Sequence, residues 1–207
     1  MIKSHHSENR LILPLLKRPK EIAMFSSKSS TKTQIPSSSS TTSIASFSES
    51  VVSKKIPKID WDDFLGVPNE SSRWLAYTTW HVLYNYRILP KRGKNTVVLH
   101  VHCLLKKKKS WVKWRDECLL NHERGHYLMG WVCALGFKRK VQETKFDGLS
   151  SASIEVEISR LFKVTRNEIM KLEKLYDEET KHYRDREKQK LWDEKIAQWL
   201  EELKHLL

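Results

Sequence analysis

The 207-residue sequence is short of cysteine and proline and has no long apolar run, and each shortage closes off a class of protein. Its three cysteines, Cys103, Cys118 and Cys133, are odd in number and widely spaced. That is no disulfide framework, and it fits a reducing compartment. No apolar stretch approaches the roughly 18 residues that a membrane-spanning helix needs. No proline follows Pro90, so nothing of that kind interrupts long helices in the C-terminal half. Acidic residues are outnumbered, 25 against 38 Lys and Arg, for a net charge of +13. Such a balance attracts polyanions, but no nucleic-acid-binding signature accompanies it, and a solvated basic surface is the simpler reading. What the chain does have is 39% hydrophobic residues and eight tryptophans, enough for a real core, which excludes full disorder.

Composition divides the chain near residue 55. Residues 1–55 are basic and rich in Ser and Thr, with Ser37-Ser38-Ser39-Ser40-Thr41-Thr42 in the middle. They are expected to form a disordered tail, because they cannot bury enough apolar surface to offset the entropy of ordering. The apolar segment Leu11–Leu16 is short and interrupted by Pro14, so it makes no convincing secretory signal. An intracellular location is expected, with mitochondrial import or export as the alternatives.

Residues 56–207 are expected to form one folded domain. From Trp74 to Leu89, the residues Ala76, Thr78, Trp80, Val82, Tyr84, Tyr86 and Ile88 alternate with their neighbours, the period-two pattern of a strand. Pro90–Asn95 carries turn chemistry, and Val97, Leu99, Val101, Cys103 and Leu105 repeat the alternation in a second strand. Lys106–Lys109 reads as an exposed turn. From Trp111 the period becomes helical, through Trp114, Cys118, Leu119, His122, His126, Met129 and Cys133, with Gly136 in the position of a C-cap. Trp111, Trp114 and Trp131 are expected to face inward on this spacing, and Cys118 and Cys133 to be buried thiols. A loop at Asp147-Gly148 leads through Ser150–Ser153 into a long helical region. Strands first and helices afterwards predict an α+β domain: a small antiparallel sheet, then a central helix, then a helical C-terminal region.

The central helix contains His122-Glu123-Arg124-Gly125-His126, an H-E-x-x-H motif. Residues four apart share one helical face, so both imidazoles can meet one ion, and zinc accepts neutral imidazole nitrogen. Glu123 follows the first ligand directly and can act as general base toward a metal-activated water. Catalytic zinc needs a third protein ligand. Downstream, Asp177, Glu178, Glu179 and His182 are candidates; upstream, His100 and His102 share one strand face, and spacing does not choose among them.

Several separated motifs together resemble the domain-of-unknown-function family 922, a group of predicted zinc-dependent proteases. The similarity covers about Ile59 to Trp199: Ile59–Pro68, Ser110–Lys113, Leu119–Tyr127, Tyr176–His182 and Gln189–Trp192. The resemblance implies a zincin-like fold, one Zn2+ per chain held by His122, His126 and His182, and Glu123 as catalytic base. Asp177 would then orient a histidine ligand or, in the reverse assignment, be the ligand itself. Arg124 stands where the family usually has glutamine, and Tyr183 where it usually has glycine. The expected function is zinc-dependent hydrolysis of peptide bonds in a peptide or protein substrate. The alternatives are an inactive zinc-binding homologue and a basic module that binds nucleic acid or another anion.

Overall fold

The alternation that begins near Trp74 becomes two strands, because the chain changes partners at Thr78-Thr79. In the computed structural model, which describes residues 56–91 and 94–207, β1 (Ala76–Tyr77) pairs antiparallel with β4 (Trp111–Val112). The long strands β2 (Trp80–Lys91) and β3 (Lys94–Leu105) form a separate antiparallel hairpin, in register from Trp80↔Leu105 to Lys91↔Lys94. Between the two pairings, Thr79 N donates to Ser110 Oγ (2.9 Å) and Thr79 O accepts from Lys106 N (2.7 Å). The joint is therefore pinned on both sides. Within the hairpin, Val82, Val97, Leu99 and Cys103 are buried, while His81, Leu83, Asn85 and Arg87 face solvent, as the period of two requires. The expected tail over residues 1–55 and the hairpin tip at Arg92 and Gly93 lie outside the described residues.

The central helix starts later than its periodicity suggested. Trp111 and Val112 are strand residues, and α1 spans Glu117–Glu143. Asp116 sets the start by accepting from Leu119 N (3.0 Å), which satisfies one of the first-turn donors. Trp114 accordingly lies outside the helix and is 66% exposed, whereas Trp131 is buried and Trp111 half-buried. Gly136 is not a cap. It is buried in mid-helix, and α1 continues because Phe137 and Val141 pack into a second apolar cluster with Val97, Leu99, Phe146, Ile154, Ile158 and Leu161. Every residue from Met129 to Phe137 is buried, so α1 is a core helix, in contact with the hairpin and both remaining helices. Gly130 allows that contact: a Cβ there would lie 2.7 Å from both Cys103 Sγ and the Trp80 ring. Cys133 is a buried thiol, pushed up to about 12 by its burial, and Cys118 is half-buried.

Helix α2 (Ser151–Thr180) is capped by Ser150, whose hydroxyl accepts from Ser153 N (3.1 Å). Its buried residues recur every three or four positions: Ile154, Ile158, Leu161, Thr165, Ile169, Leu172, Tyr176 and Thr180. A short turn leads to α3 (Arg186–Leu203), which buries Gln189, Trp192, Ile196, Trp199 and Leu203. Fully burying an aliphatic or aromatic side chain of this size contributes about 1.5–3 kcal/mol, so these stripes hold both helices on α1. The architecture is α+β, with the strands preceding the helices along the chain. Lys107–Lys109 form an exposed 3-10 turn, as the four-lysine run implied. Among the described residues no helix is long and apolar enough to cross a membrane.

Candidate metal centre

Two helices meet at His122, each presenting a row of residues four apart. From α1 come His122 and His126, their ring centroids 5.0 Å apart, because four residues make just over one helical turn. From α2 come Glu173 and Asp177, on the same spacing. Asp177 Oδ1 lies 3.1 Å from His122 Nε2 and 3.0 Å from His126 Nε2. The ligand atoms of His122, His126 and Asp177 all lie within 4.8 Å of one another. A tetrahedral zinc with bonds of about 2.0–2.1 Å has ligand–ligand edges of about 3.3 Å, close to these separations.

The surroundings fix how His122 is used. Gln189 Nε2 donates to Tyr176 Oη (2.7 Å) and to Asp193 Oδ1 (2.8 Å), so Gln189 Oε1 is the acceptor that faces His122 Nδ1 at 3.1 Å. His122 Nδ1 therefore donates to Gln189, which leaves Nε2 aimed at the Asp177 carboxylate. At 3.1 Å from the carboxylate oxygen, Nε2 is placed to share a cation with Asp177. Tyr176 adds a second clamp. Its ring stacks on His122 at 4.5 Å and its hydroxyl donates to His122 O (3.0 Å). Partners of this kind orient metal-ligating histidines and raise their basicity.

His126 is held differently. Its Nε2 faces Asp177, and its Nδ1 is 3.5 Å from Glu173 Oε1, an oxygen that also accepts from Trp80 Nε1 (2.7 Å). Burial lowers the His126 pKa, but the hydrogen bonds to Asp177 and Glu173 outweigh it and raise the pKa to about 10. Burial likewise works to raise the pKa of Asp177, yet the two imidazoles of His122 and His126 against its carboxylate hold it well below the carboxylate range. The carboxylates of Asp177 and Glu173 thus favour positive charge at His126. A metal ion bound here would meet the same preference for positive charge.

The other expected site residues fall into place unevenly. Glu123 is 4% exposed and its Oε2 accepts from Thr78 Oγ1 at 2.5 Å. His182 lies beside the tight group without belonging to it, its Nδ1 3.4 Å from Asp177 Oδ1 and its ring tilted at 44° against Trp74, 3.8 Å between centroids. Burial lowers the His182 pKa against the pull of Asp177. Glu178 is exposed, and Glu179 accepts from Trp192 Nε1 (2.7 Å). His100 is exposed on the hairpin, and His102 packs edge-on against Trp131, so neither joins the cluster. Sequence reasoning missed Thr78, Glu173 and Gln189 as neighbours of the site. The four-residue spacing of Glu173 and Asp177 hinted at one of them, and the Gln189–Trp192 motif at another.

His182 reaches its position through backbone strain. Lys181, His182 and Tyr183 follow one another with φ of 50°, 51° and 72°, a left-handed run without glycine. Each such residue costs about 1–2 kcal/mol, and strain of this kind concentrates at functional sites. Tyr183 occupies a conformation that suits glycine, but its side chain packs against the main core cluster. Tyr183→Ala loses that packing and keeps the strain, whereas Tyr183→Gly loses the packing and relieves the strain. Urea unfolding should therefore find the glycine variant more stable than the alanine variant by about 1 kcal/mol. No family model, curated protein or solved structure matches the chain.

Proposed function

We propose that the protein is a zinc-dependent peptidase of zincin-like type, with His122, His126 and Asp177 as the protein ligands. The observation that carries this reading is the cluster itself. Two imidazole nitrogens converge on one carboxylate oxygen at 3.0–3.1 Å, and a third set of contacts fixes the ring of His122 in that orientation. Imidazole and carboxylate together suit zinc, and a catalytic site uses three protein ligands and keeps one position open. Asp177 and His182 retain 32% and 36% side-chain exposure, so one side of the group is accessible from solvent.

When bound, zinc would supply Lewis acidity and bring the pKa of a coordinated water toward about 7. Glu123 takes the proton from the attacking water and later delivers it to the leaving amine, the two halves of general acid–base catalysis. Gln189, Tyr176 and Glu173 hold the histidines in orientation. The motifs that resemble the domain-of-unknown-function family 922 support the same activity. They favour His182 over Asp177 as third ligand; the tighter cluster favours Asp177.

Metal analysis of purified protein tests both points. Wild type should carry about one zinc per chain, and His126→Ala should lose it. Asp177→Ala should weaken zinc binding by more than the roughly 10–100-fold typical of an orienting partner, and His182→Ala by less. The reverse order would restore the three-histidine set. A wild type that takes up no zinc on reconstitution would reject the reading.

A further inference from the structure

Glu123 is a carboxylate taken almost entirely out of water, and the side chain that answers it comes from the joint between the two strand pairs. Thr78 Oγ1 donates to Glu123 Oε2 at 2.5 Å and lies 3.4 Å from the Glu123 carbonyl oxygen. We propose that Thr78 is a positioning residue for the catalytic base, its hydroxyl anchoring one carboxylate oxygen so that the other is held ready for the proton. The proposal rests on the peptidase reading of this site.

The backbone around Thr78 is built to hold it still. On one side, Ala76 and Tyr77 are registered against Val112 and Trp111. On the other, Thr79 is tied through its N–H to Ser110 Oγ and through its carbonyl to Lys106 N, and Ser110 is fully buried. A two-residue gap between two different strand pairs thus becomes a fixed mount for one hydroxyl. A threonine at that gap is also restricted in χ1 by its branched Cβ, which limits the wandering of its oxygen. Catalytic groups need their partners locked in this way, since a base that swings loses orientation in the transition state. The bond spans 45 positions in the chain, so no local pattern announces it.

The test compares zinc-loaded wild type with Thr78→Val, which removes the hydroxyl, and Thr78→Ser, which keeps it. Zinc content should be unchanged in all three, because Thr78 is not among the ligand group. With fluorescein-labelled casein as probe, Thr78→Val should lower the rate at saturating casein by up to about 100-fold, the scale of an ångström-sized misplacement. The casein concentration for half-maximal rate should change little, and Thr78→Ser should recover most of the rate. Crystal structures of the two variants give a readout independent of activity: the Glu123 carboxylate should move in Thr78→Val and stay in Thr78→Ser. Equal rates in the two variants, or an unmoved carboxylate in Thr78→Val, would overturn the proposal. Should Thr78→Val not fold, Thr78→Ala against Thr78→Ser makes the same comparison. A wild type that binds zinc but leaves casein intact counts against the peptidase reading, and the crystal structures then still decide whether Thr78 holds Glu123.

Discussion

Replacing Glu123 by Gln is expected to cut peptide hydrolysis by about 10²–10⁴-fold, the usual contribution of a general base, while zinc content stays at the wild-type level. Glutamine keeps the length and shape of glutamate, and its amide oxygen still accepts from Thr78, so the buried pocket around residue 123 is preserved. What disappears is the ability to take a proton. Glu123 is also absent from the group of converging ligand atoms, so nothing in the substitution touches metal binding. Parallel measurement of zinc per chain and of casein cleavage separates the two effects. Activity within twofold of wild type would eliminate the proposed mechanism. Loss of zinc together with activity would make Glu123 a ligand or a structural support rather than a base. Wild type with a full complement of zinc and no turnover would favour the inactive zinc-binding homologue.

Gly125→Ala should be the most damaging single methyl group that can be added near the site. A Cβ at position 125 would lie 2.2 Å from Tyr176 Oη and 2.8 Å from its Cζ. Tyr176 has no free space to retreat into. It is fully buried, stacked on His122, bonded to His122 O and to Gln189, and packed edge-on against Trp192 at 5.4 Å. Alanine is the better helix former by about 1 kcal/mol, but forcing extra volume into a packed core costs about 1–3 kcal/mol. Here the contact involves an aromatic ring fixed on three sides, so the clash wins. The expected net loss, up to about 2 kcal/mol, corresponds to a fall in Tm of up to roughly 8 °C for a chain of this size. Zinc affinity should fall with it, because Tyr176 and Asp177 are adjacent on α2 and move together. Adding Tyr176→Phe removes the atom in the worst contact, so the double variant should recover part of the lost stability. Strict additivity of the two changes would show that they do not meet.

The first argument depends on how the strand joint at Thr78 meets α1 and the second on where α2 lies against it, and neither packing is legible in a local pattern. Periodicity is local, and it was sufficient for much of the chain. The alternation of Val82, Tyr84 and Tyr86 identified a strand face, and the spacing of His122 and His126 placed two imidazoles on one side of a helix. Strands before helices implied the α+β architecture, and the serines at 150–153 marked a helix start. Boundaries were less legible. Trp111 and Trp114 matched a helical spacing, but the partner offered by Tyr77 and the cap at Asp116 put the start of α1 at Glu117. Likewise, Gly136 resembled a terminator only until Phe137 and Val141 were seen to be buried against the hairpin and α2.

The sequence by itself determined the two histidines, the glutamate between them and the order of the elements, because each follows from residues within a few positions of one another. The tertiary structure alone decided that Asp177 rather than His182 completes the tight cluster, that Thr78 grips Glu123, and that Gln189 turns His122. Those contacts join residues 45 to 67 positions apart. Their distances are set by how apolar stripes on α1, α2 and α3 pack, and by where a left-handed turn leaves His182. A period of 3.6 residues says which side chains share a face, but not which face of another helix they will meet.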